Sequence, residues 1–371
     1  MAAEEPQPYY DPIPGQEDGE EEEYTLPANA GVGDYMAHPY KACKNYMDRF
    51  LANFGWRFAI QLGVMYTIVK GILSSIIGLV QLSYCKKSLH IDGTACQTMG
   101  AIAQTPWAIK GAIGVVSDAY PLFGYHKSSY IIVAGCMGTA AFAYLAAMPV
   151  QSATVAAIAL FCANYEIATA DLLCEGKYAE LMQSKPKTGS TMVSYVWGCF
   201  QIGSLIAALF VGPMADAYNP QIIFWVCMPL AASIIIPTAL GFLADKRVPE
   251  GKEGVDWALI QEYPKIVAFC LIMALVAMGN AAIDIIFFDE HMWQAIYAIS
   301  AAVLLSVLAF MWLPRQLAMC NFYMFFSSVL YINIRGAQDF WFTADESCVP
   351  GGPAFDYTYY NTYTAVVGAF T

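Results

Sequence analysis

The sequence predicts an all-α, polytopic bundle of transmembrane helices. Hydrophobic residues make up 58% of the 371 residues and charged residues only 13%, which leaves too little polar surface for a soluble domain. Nine segments are apolar enough to cross a bilayer, because a helical crossing takes about 20 such residues. Lysine and arginine also concentrate in the loops on one side of these segments. These observations predict nine full membrane helices plus a partial tenth.

The N-terminal region, residues 1–56, is predicted to be an acidic, disordered tail on the cytoplasmic side. Residues 1–40 contain ten of the 30 acidic residues and neither lysine nor arginine, so the net charge of -12 arises mainly there. A segment this polar buries too little apolar surface to offset the entropy of ordering it. It is not a signal peptide, because no basic stretch followed by an apolar run begins the chain.

Six of the predicted membrane helices form an N-terminal half, residues 57–243. A polar segment follows at residues 244–263 and is predicted to be a cytoplasmic linker. Three more helices and a short apolar run that starts near Thr362 complete residues 264–371, which we expect to be an incomplete C-terminal half. The nine predicted crossings lie near residues 57–82, 94–117, 129–149, 152–174, 189–212, 222–243, 264–287, 292–313 and 316–335.

Basic residues in the loops predict the orientation. With the N-terminus in the cytoplasm, 13 of the 18 lysines and arginines fall on the cytoplasmic side and three on the opposite side. The other two, Lys70 and Lys110, fall within predicted helices. Cytoplasmic loops of membrane proteins carry this excess. We therefore expect an integral membrane protein with a cytoplasmic N-terminus.

The turn after the second predicted helix resembles the gating turn of the major facilitator superfamily. In that superfamily a glycine, an acid four residues later, a second glycine and basic residues lock helix ends together in one state of the transport cycle. Gly114 and Asp118 match this spacing, whereas Gly124 and Lys127 follow three residues later than is usual. The alternative is an ordinary polar turn at a helix end, since a single short motif needs structural context.

Three separated motifs resemble the folate-biopterin transporter family, and they cover the chain from about residue 57 to its end. PWAIKGAIGVVSDAYPLFGYHKSSY resembles the signature turn, ATADLLCEGKYAEL the acidic motif of the fourth helix, and INIRGAQDFWFTADESCVPGGPAFDYTYY the loop after the ninth helix in protozoan members. The resemblance implies a major facilitator fold with two six-helix halves. It also implies uptake of folates or unconjugated pterins such as biopterin by proton symport, at the plasma membrane, without choosing between these substrates.

Charged residues inside predicted helices are candidates for the substrate site, because charges in a membrane are costly and commonly functional. Folate carries carboxylates and a flat pterin ring. Lys70, Lys110 and Arg335 are candidates to pair with the carboxylates, and Trp107 is a candidate to contact the ring. Alternatively, Lys110 and Arg335 extend to the membrane interfaces.

Three acids on the fourth predicted helix are candidates for proton coupling. Glu166 is the deepest of them, and Asp171 and Glu175 share one helical face at a spacing of four residues. Neighbouring carboxylates and burial both favour protonation near neutral pH. A structural alternative is that these acids pair with Lys177 or Lys127.

Other residue patterns add little to the functional prediction. A disulfide among Cys85, Cys96 and Cys348 is compatible with their predicted loops, but the pairing is undetermined. We expect no metal site, no cofactor, no nucleic-acid partner and no enzymatic activity. The expected partners are a folate or pterin substrate, the lipid bilayer and a coupling proton. The alternative function is that of a truncated, non-transporting membrane protein that regulates or associates with full-length relatives.

Overall fold

The computed structural model describes residues 33, 39–149, 152–186, 188–249, 251, 254–287, 290–331 and 334–370. Within these residues the fold is helical, and the only strand-like pairing is an isolated bridge between Leu122 and Tyr125. Seven of the described helices are long and apolar enough to span a membrane. The prediction of an all-α integral membrane protein is therefore confirmed.

A helix, α1, spans Pro39–Phe54 and corrects the prediction of disorder for that part of residues 1–56. Phe50 and Phe54 on this helix are fully buried, and the Phe50 ring stacks on Tyr195 at 4.3 Å between centroids. Phe50 and Phe54, four residues apart, give α1 an apolar face that can be buried, whereas the acidic residues 1–40 contain little apolar surface. Residues 1–32 and 34–38 lie outside the described residues.

The core of the molecule is formed by seven helices that follow α1. The pairs α2 with α7, α3 with α6, α5 with α6 and α5 with α8 make the most extensive contacts. Their bounds are α2 Trp56–Leu89, α3 Gly93–Ala108, α4 Lys110–Ala119, α5 Ser128–Ala147, α6 Ala153–Ser184, α7 Gly189–Ala217 and α8 Pro220–Ala239.

The remaining helices lie against this core. α10 packs on α3 and α4, α11 on α10, and α12 on α11. Few of their residues are buried, unlike those of the core helices. Their bounds are α9 Trp257–Glu262, α10 Pro264–Ile286, α11 His291–Trp312, α12 Arg315–Leu330, α13 Arg335–Phe342, and α14, made of Thr358–Tyr363 and Thr364–Phe370.

Two of the nine predicted crossings differ from the helices observed. The predicted crossing 94–117 is divided at Ile109, whose backbone (ψ 5°) leaves the helical region, so that α3 and α4 are separate helices. The predicted crossing 316–335 ends at Leu330, which gives a helix of 16 residues. A helix of that length is short for a hydrocarbon core about 30 Å thick, because it extends only about 24 Å.

Small residues bring α2 and α7 into close contact. A Cβ on Gly71 would lie 2.9 Å from the Cα of Gly203, and a Cβ on Gly203 would lie 2.1 Å from the Thr67 carbonyl oxygen. Only glycine permits this approach of two helix backbones, as in membrane helix pairs generally. The contact brings α7 beside the residues that flank Gly71, including Lys70.

One end of the bundle, here called the disulfide end, is crosslinked. Cys85 at the end of α2 and Cys96 at the start of α3 form a disulfide, whereas Cys348 is free and exposed. Lys86 donates hydrogen bonds to the Thr343 carbonyl oxygen (2.9 Å) and hydroxyl (2.8 Å) just beyond α13. The segment after α12 is thereby attached to the ends of α2 and α3. The opposite end, called the linker end, contains residues 120–127, 244–249 and 254–263.

Candidate functional site

Two lysines from different helices converge on one buried carboxylate. Lys70 Nζ lies 2.9 Å from Asp171 Oδ1, and Lys110 Nζ lies 2.6 Å from Asp171 Oδ2. The Asp171 side chain is 1% exposed, whereas each lysine is about one-fifth exposed. Burial of Asp171 without both hydrogen bonds would be strongly unfavourable. We call Lys70, Lys110 and Asp171 the lysine cluster.

Local backbone geometry places both lysines. Lys70 belongs to a π-helical segment of α2, Val64–Leu73, and such departures from the α-helix are frequent at functional sites. Lys110 is the first residue of α4, immediately after the break at Ile109. A cation is unfavourable at a helix N-terminus, where the helix dipole is positive. The Asp171 carboxylate compensates this charge.

Glu175 provides weaker compensation than Asp171. Its Oε2 lies 3.9 Å from Lys110 Nζ, and the side chain is 51% exposed. Water screens an ion pair at such a position, so its contribution is small. The partly exposed sides of the two lysines therefore remain available to a bound anion that displaces Glu175.

Aromatic rings surround the two ammonium groups. Lys110 Nζ lies 4.8 Å from the centroid of the Trp107 ring, and Lys70 Nζ lies 5.9 Å from the same ring. Lys70 Nζ is also 5.3 Å from the Tyr66 ring and 6.0 Å from the Trp197 ring. Rings at these distances attract a cation through their faces. Trp107 thus lies between the lysines and is part of the same site.

The orientation of Trp107 depends on a residue that the sequence did not single out. The indole Nε1 of Trp107 donates a hydrogen bond of 3.4 Å to Asn164 Oδ1, and Asn164 is buried on α6. Tyr66 was also not predicted. Its position four residues before Lys70 places it on the same helical face, which is the pattern that could have indicated it.

Glu166 is separate from the lysine cluster. Its side chain is fully buried, and neither carboxyl oxygen has a hydrogen-bond partner within the described residues. It faces α5, because a Cβ added to Gly138 would lie 1.8 Å from Glu166 Oε2. Glu166 and Asp171 therefore occupy different faces of α6, and only Asp171 contacts the two lysines.

The structural alternative, in which Asp171 and Glu175 pair with Lys127 or Lys177, is not what the structure shows, because both acids lie beside Lys110. Lys127 donates a short hydrogen bond to Glu180 Oε1, and Lys177 lies 3.0 Å from Glu180 Oε2. Glu180 follows Glu175 by five residues and Asp171 by nine, so it lies further along α6 toward the linker end. Asp171 and Glu175 are therefore paired with Lys110, and Glu180 is paired with Lys127 and Lys177.

The predicted gating residues lie at the linker end. Gly124 has φ +80°, a conformation that favours glycine. A Cβ on Gly114 would make only an ordinary contact, 3.5 Å from Leu172 Cδ2. Asp118 is exposed to solvent, but the protein atoms packed around its carboxyl partly desolvate it and raise its pKa. The charges of Lys127 and His126 oppose that rise.

The linker is attached to this turn by hydrogen bonds. Asp245 Oδ2 accepts from the backbone N–H groups of Lys127 (2.8 Å) and Ser128 (2.7 Å) at the start of α5. The Val248 N–H donates to the Gly124 carbonyl oxygen at 2.9 Å, and the Asp256 N–H donates to the Ala119 carbonyl oxygen at 2.8 Å. Movement of the turn relative to the linker requires these bonds to break.

Arg335 is the first residue of α13, at the disulfide end, and its side chain lies outside the described part of the chain. Its predicted role at a carboxylate thus remains a prediction. Among the described residues no group of three His, Cys, Asp or Glu side chains is arranged to hold a metal ion.

Comparison with known proteins finds a matching family and several similar proteins. A family model described as the BT1 family matches residues 70–371. A protein named "Folate-biopterin transporter" from Synechocystis sp. is 26% identical over 201 residues, which are 51% of this chain and 40% of the relative. "Probable folate-biopterin transporter 2" of Arabidopsis thaliana is 24% identical over 169 residues, or 46% of this chain and 34% of the relative. "Probable folate-biopterin transporter 6" of the same plant is 23% identical over 203 residues, or 54% and 40%. The chain therefore aligns with well under half the length of these relatives.

Proposed function

The chain belongs to the BT1 family, and on that premise we propose that it carries folate or an unconjugated pterin across a membrane. The similar proteins named as folate-biopterin transporters or probable ones support this assignment. The family also confirms the expectation that the chain is not an enzyme. The observation that carries the proposal is the lysine cluster beside Trp107.

The lysine cluster suits the carboxylates of folate. The ammonium groups of Lys70 and Lys110 share one buried partner, Asp171, and each retains an exposed side. A substrate carboxylate at that side gains charge-assisted hydrogen bonds, which are stronger than neutral ones. Trp107 adds a flat apolar surface next to both cations. Glu175 occupies this position weakly in the absence of substrate.

Proton coupling is proposed through Glu166 and the pair Asp171 and Glu175. Glu166 is buried without a hydrogen-bond partner in the described residues, and burial of an unpaired charge costs several kcal/mol. Protonation of Asp171 or Glu175 would release the lysines from their internal partners. A substrate carboxylate would then replace them, which links proton binding to substrate binding.

Alternating access is proposed to depend on the turn at the linker end, as in the major facilitator superfamily. Lys127 joins the turn to α6 through Glu180, and Asp245 joins the linker to α5. These bonds connect helices that would separate when this end opens. In this account Gly114, Asp118, Gly124 and Lys127 control the change of state and do not contact substrate.

The disulfide supports the proposed orientation. Disulfides form in oxidising compartments, so the end with Cys85 and Cys96 is expected to face away from the cytoplasm. α1 and the start of α2 are then on the cytoplasmic side, in agreement with the excess of basic residues there. We propose a plasma-membrane protein with a cytoplasmic N-terminus.

Uptake by proteoliposomes tests the transport assignment. The purified chain is reconstituted and exposed to labelled folate or labelled biopterin, with and without an inward proton gradient. We expect uptake of at least one compound above that of empty vesicles, and faster uptake with the gradient. Uptake of neither compound would contradict the transport function, whereas uptake that ignores the gradient would contradict only proton coupling.

A further inference from the structure

A polar cavity lies at the disulfide end, and its lining does not include the residues of the lysine cluster. It has a volume of about 500 Å³, which is within the range of small-molecule sites. Side chains from three helices line it: Gln81 on α2, Gln97 and Gln104 on α3, and Asp339 and Phe340 on α13. We call these five residues the amide pocket.

Glycines shape the amide pocket. A Cβ on Gly100 would lie 2.3 Å from Gln81 Nε2, and a Cβ on Gly336 would lie 2.2 Å from Gln97 Nε2. Both glycines therefore leave room for an amide group that any larger residue would displace. Gln81 Nε2 also donates to the Cys96 carbonyl oxygen at 3.0 Å, beside the disulfide. The amides of Gln81 and Gln97 are therefore held by close packing against Gly100 and Gly336.

Asp339 is the one acid among the described lining residues. It accepts a short hydrogen bond from the Tyr360 hydroxyl, and this bond fixes the orientation of the carboxylate. A carboxylate has about four acceptor positions. The described side chains of the pocket thus combine a carboxylate, three amides and an aromatic ring.

We propose that the amide pocket binds the pterin ring of the substrate, an inference that rests on the proposed transport of folate or pterins. One edge of a pterin ring carries an amino group and a ring N–H next to a carbonyl oxygen. A carboxylate accepts from the two donors, and an amide NH₂ donates to the oxygen. Phe340 offers an aromatic surface to the flat ring. The pocket therefore suits the ring, whereas the lysine cluster suits the carboxylates.

The two sites are adjacent along α3. Gln104 precedes Trp107 by three residues, a rise of about 4.5 Å along a helix. Trp107 contacts Lys110 and lies near Lys70. A folate molecule with its ring at Gln104 can thus direct its glutamate end toward the lysines. Biopterin has no carboxylate, so it would depend on the amide pocket alone.

Equilibrium binding to the purified chain in detergent tests the proposal, with labelled biopterin, folate and p-aminobenzoylglutamate, which lacks a pterin ring. Asp339→Asn keeps an acceptor for Tyr360 but presents an amide where the ring requires an acceptor. We expect biopterin to bind about ten-fold more weakly or worse, since hydrogen bonds to charged groups contribute about 1.5–3 kcal/mol. Binding of p-aminobenzoylglutamate should be unchanged.

Two further variants make the result decisive. Glu346→Gln removes an exposed acid from the same segment and should bind biopterin normally. Gln104→Ala alters an exposed side chain and should weaken biopterin binding without loss of folded protein. If Asp339→Asn and Gln104→Ala both bind biopterin as tightly as Glu346→Gln does, the amide pocket is not the pterin site. If the unaltered chain binds neither folate nor biopterin, the transport proposal itself fails.

Discussion

Lys110 Nζ lies 2.6 Å from Asp171 Oδ2, although 61 residues separate the two in the sequence. Asp171 also accepts from Lys70, so one buried carboxylate balances two cations from two other helices. This arrangement predicts that Asp171 is needed for stability, and in the proposed function the two lysines bind the substrate. The two roles predict different consequences for different substitutions.

Asp171→Asn should strongly destabilise the protein. The change leaves two partly buried lysines without their shared charge, and removal of one partner from a buried pair typically costs about 3–5 kcal/mol. Thermal unfolding in detergent would measure the effect. Glu180→Gln is the matched control, because Glu180 is 49% exposed in its pairs with Lys127 and Lys177 and should cost about 1 kcal/mol or less. Equal losses for both variants would refute the central role of Asp171.

Gly138→Ala should disturb the site through Glu166. The new methyl group would lie 1.8 Å from Glu166 Oε2 and 2.7 Å from Glu166 Cβ, so the packing of α5 on α6 must change. We expect a loss of about 1–3 kcal/mol of stability, and partial recovery when Glu166→Ala is added. Gly176→Ala on α6 serves as control, since nothing lies within 4 Å of its Cβ position and alanine favours a helix. A destabilised Gly176→Ala variant, or a neutral Gly138→Ala variant, would be inconsistent with this packing.

Asp118→Asn should slow folate uptake while leaving the amount of membrane-inserted protein unchanged. Asp118 interacts electrostatically with Lys127 and His126, and in the proposed mechanism its neutralisation shifts the balance between transport states. Coupling energies of this kind correspond to changes of about five-fold or more. Asp256→Asn is the control, because Asn replaces Asp well at the helix cap that Asp256 forms for α9. Normal uptake kinetics in Asp118→Asn would argue against a gating role.

Cysteine labelling should reveal the orientation of the chain. Cys348 is free and exposed in the segment near the disulfide end, whereas Cys43 is exposed on α1 at the opposite end. A membrane-impermeant maleimide added to intact cells should therefore label the unaltered chain and the Cys43→Ser variant. The Cys348→Ser variant should not be labelled. The reverse pattern would place the disulfide end in the cytoplasm. Cys85 and Cys96 should react only after reduction.

The sequence was sufficient to identify the helical membrane fold and the family. It also singled out Lys70, Lys110, Trp107 and Asp171, which the structure brings together. It did not predict their pairing, because contacts across 101 and 61 residues depend on how helices pack. Helical periodicity correctly assigned Asp171 and Glu175 to one face of α6. It could not predict which lysine pairs with them: Lys70, Lys110, Lys127 or Lys177. Helix packing decides that choice, because it places the ammonium groups of Lys70 and Lys110 within hydrogen-bond distance of Asp171.

Other features depend on backbone details that composition does not encode. The break at Ile109 makes Lys110 the first residue of α4, and the apolar run 94–117 gave no sign of it. Gln97 and Gln104 were not singled out, because isolated amides in a helix carry no charge signal. Only the folded structure shows that they line a cavity together with Asp339 of α13.

We propose that the lysine cluster binds the carboxylates of folate. Initial uptake rates of labelled folate and labelled biopterin by proteoliposomes with Lys110→Met test it most directly, with Lys110→Arg as the variant that keeps the charge. We predict that Lys110→Met lowers folate uptake about ten-fold or more, in line with the loss of a charge-assisted hydrogen bond, while biopterin uptake changes little and Lys110→Arg retains much of the folate uptake. Folate uptake that is unchanged in Lys110→Met, or lost to the same extent as biopterin uptake, would contradict the account.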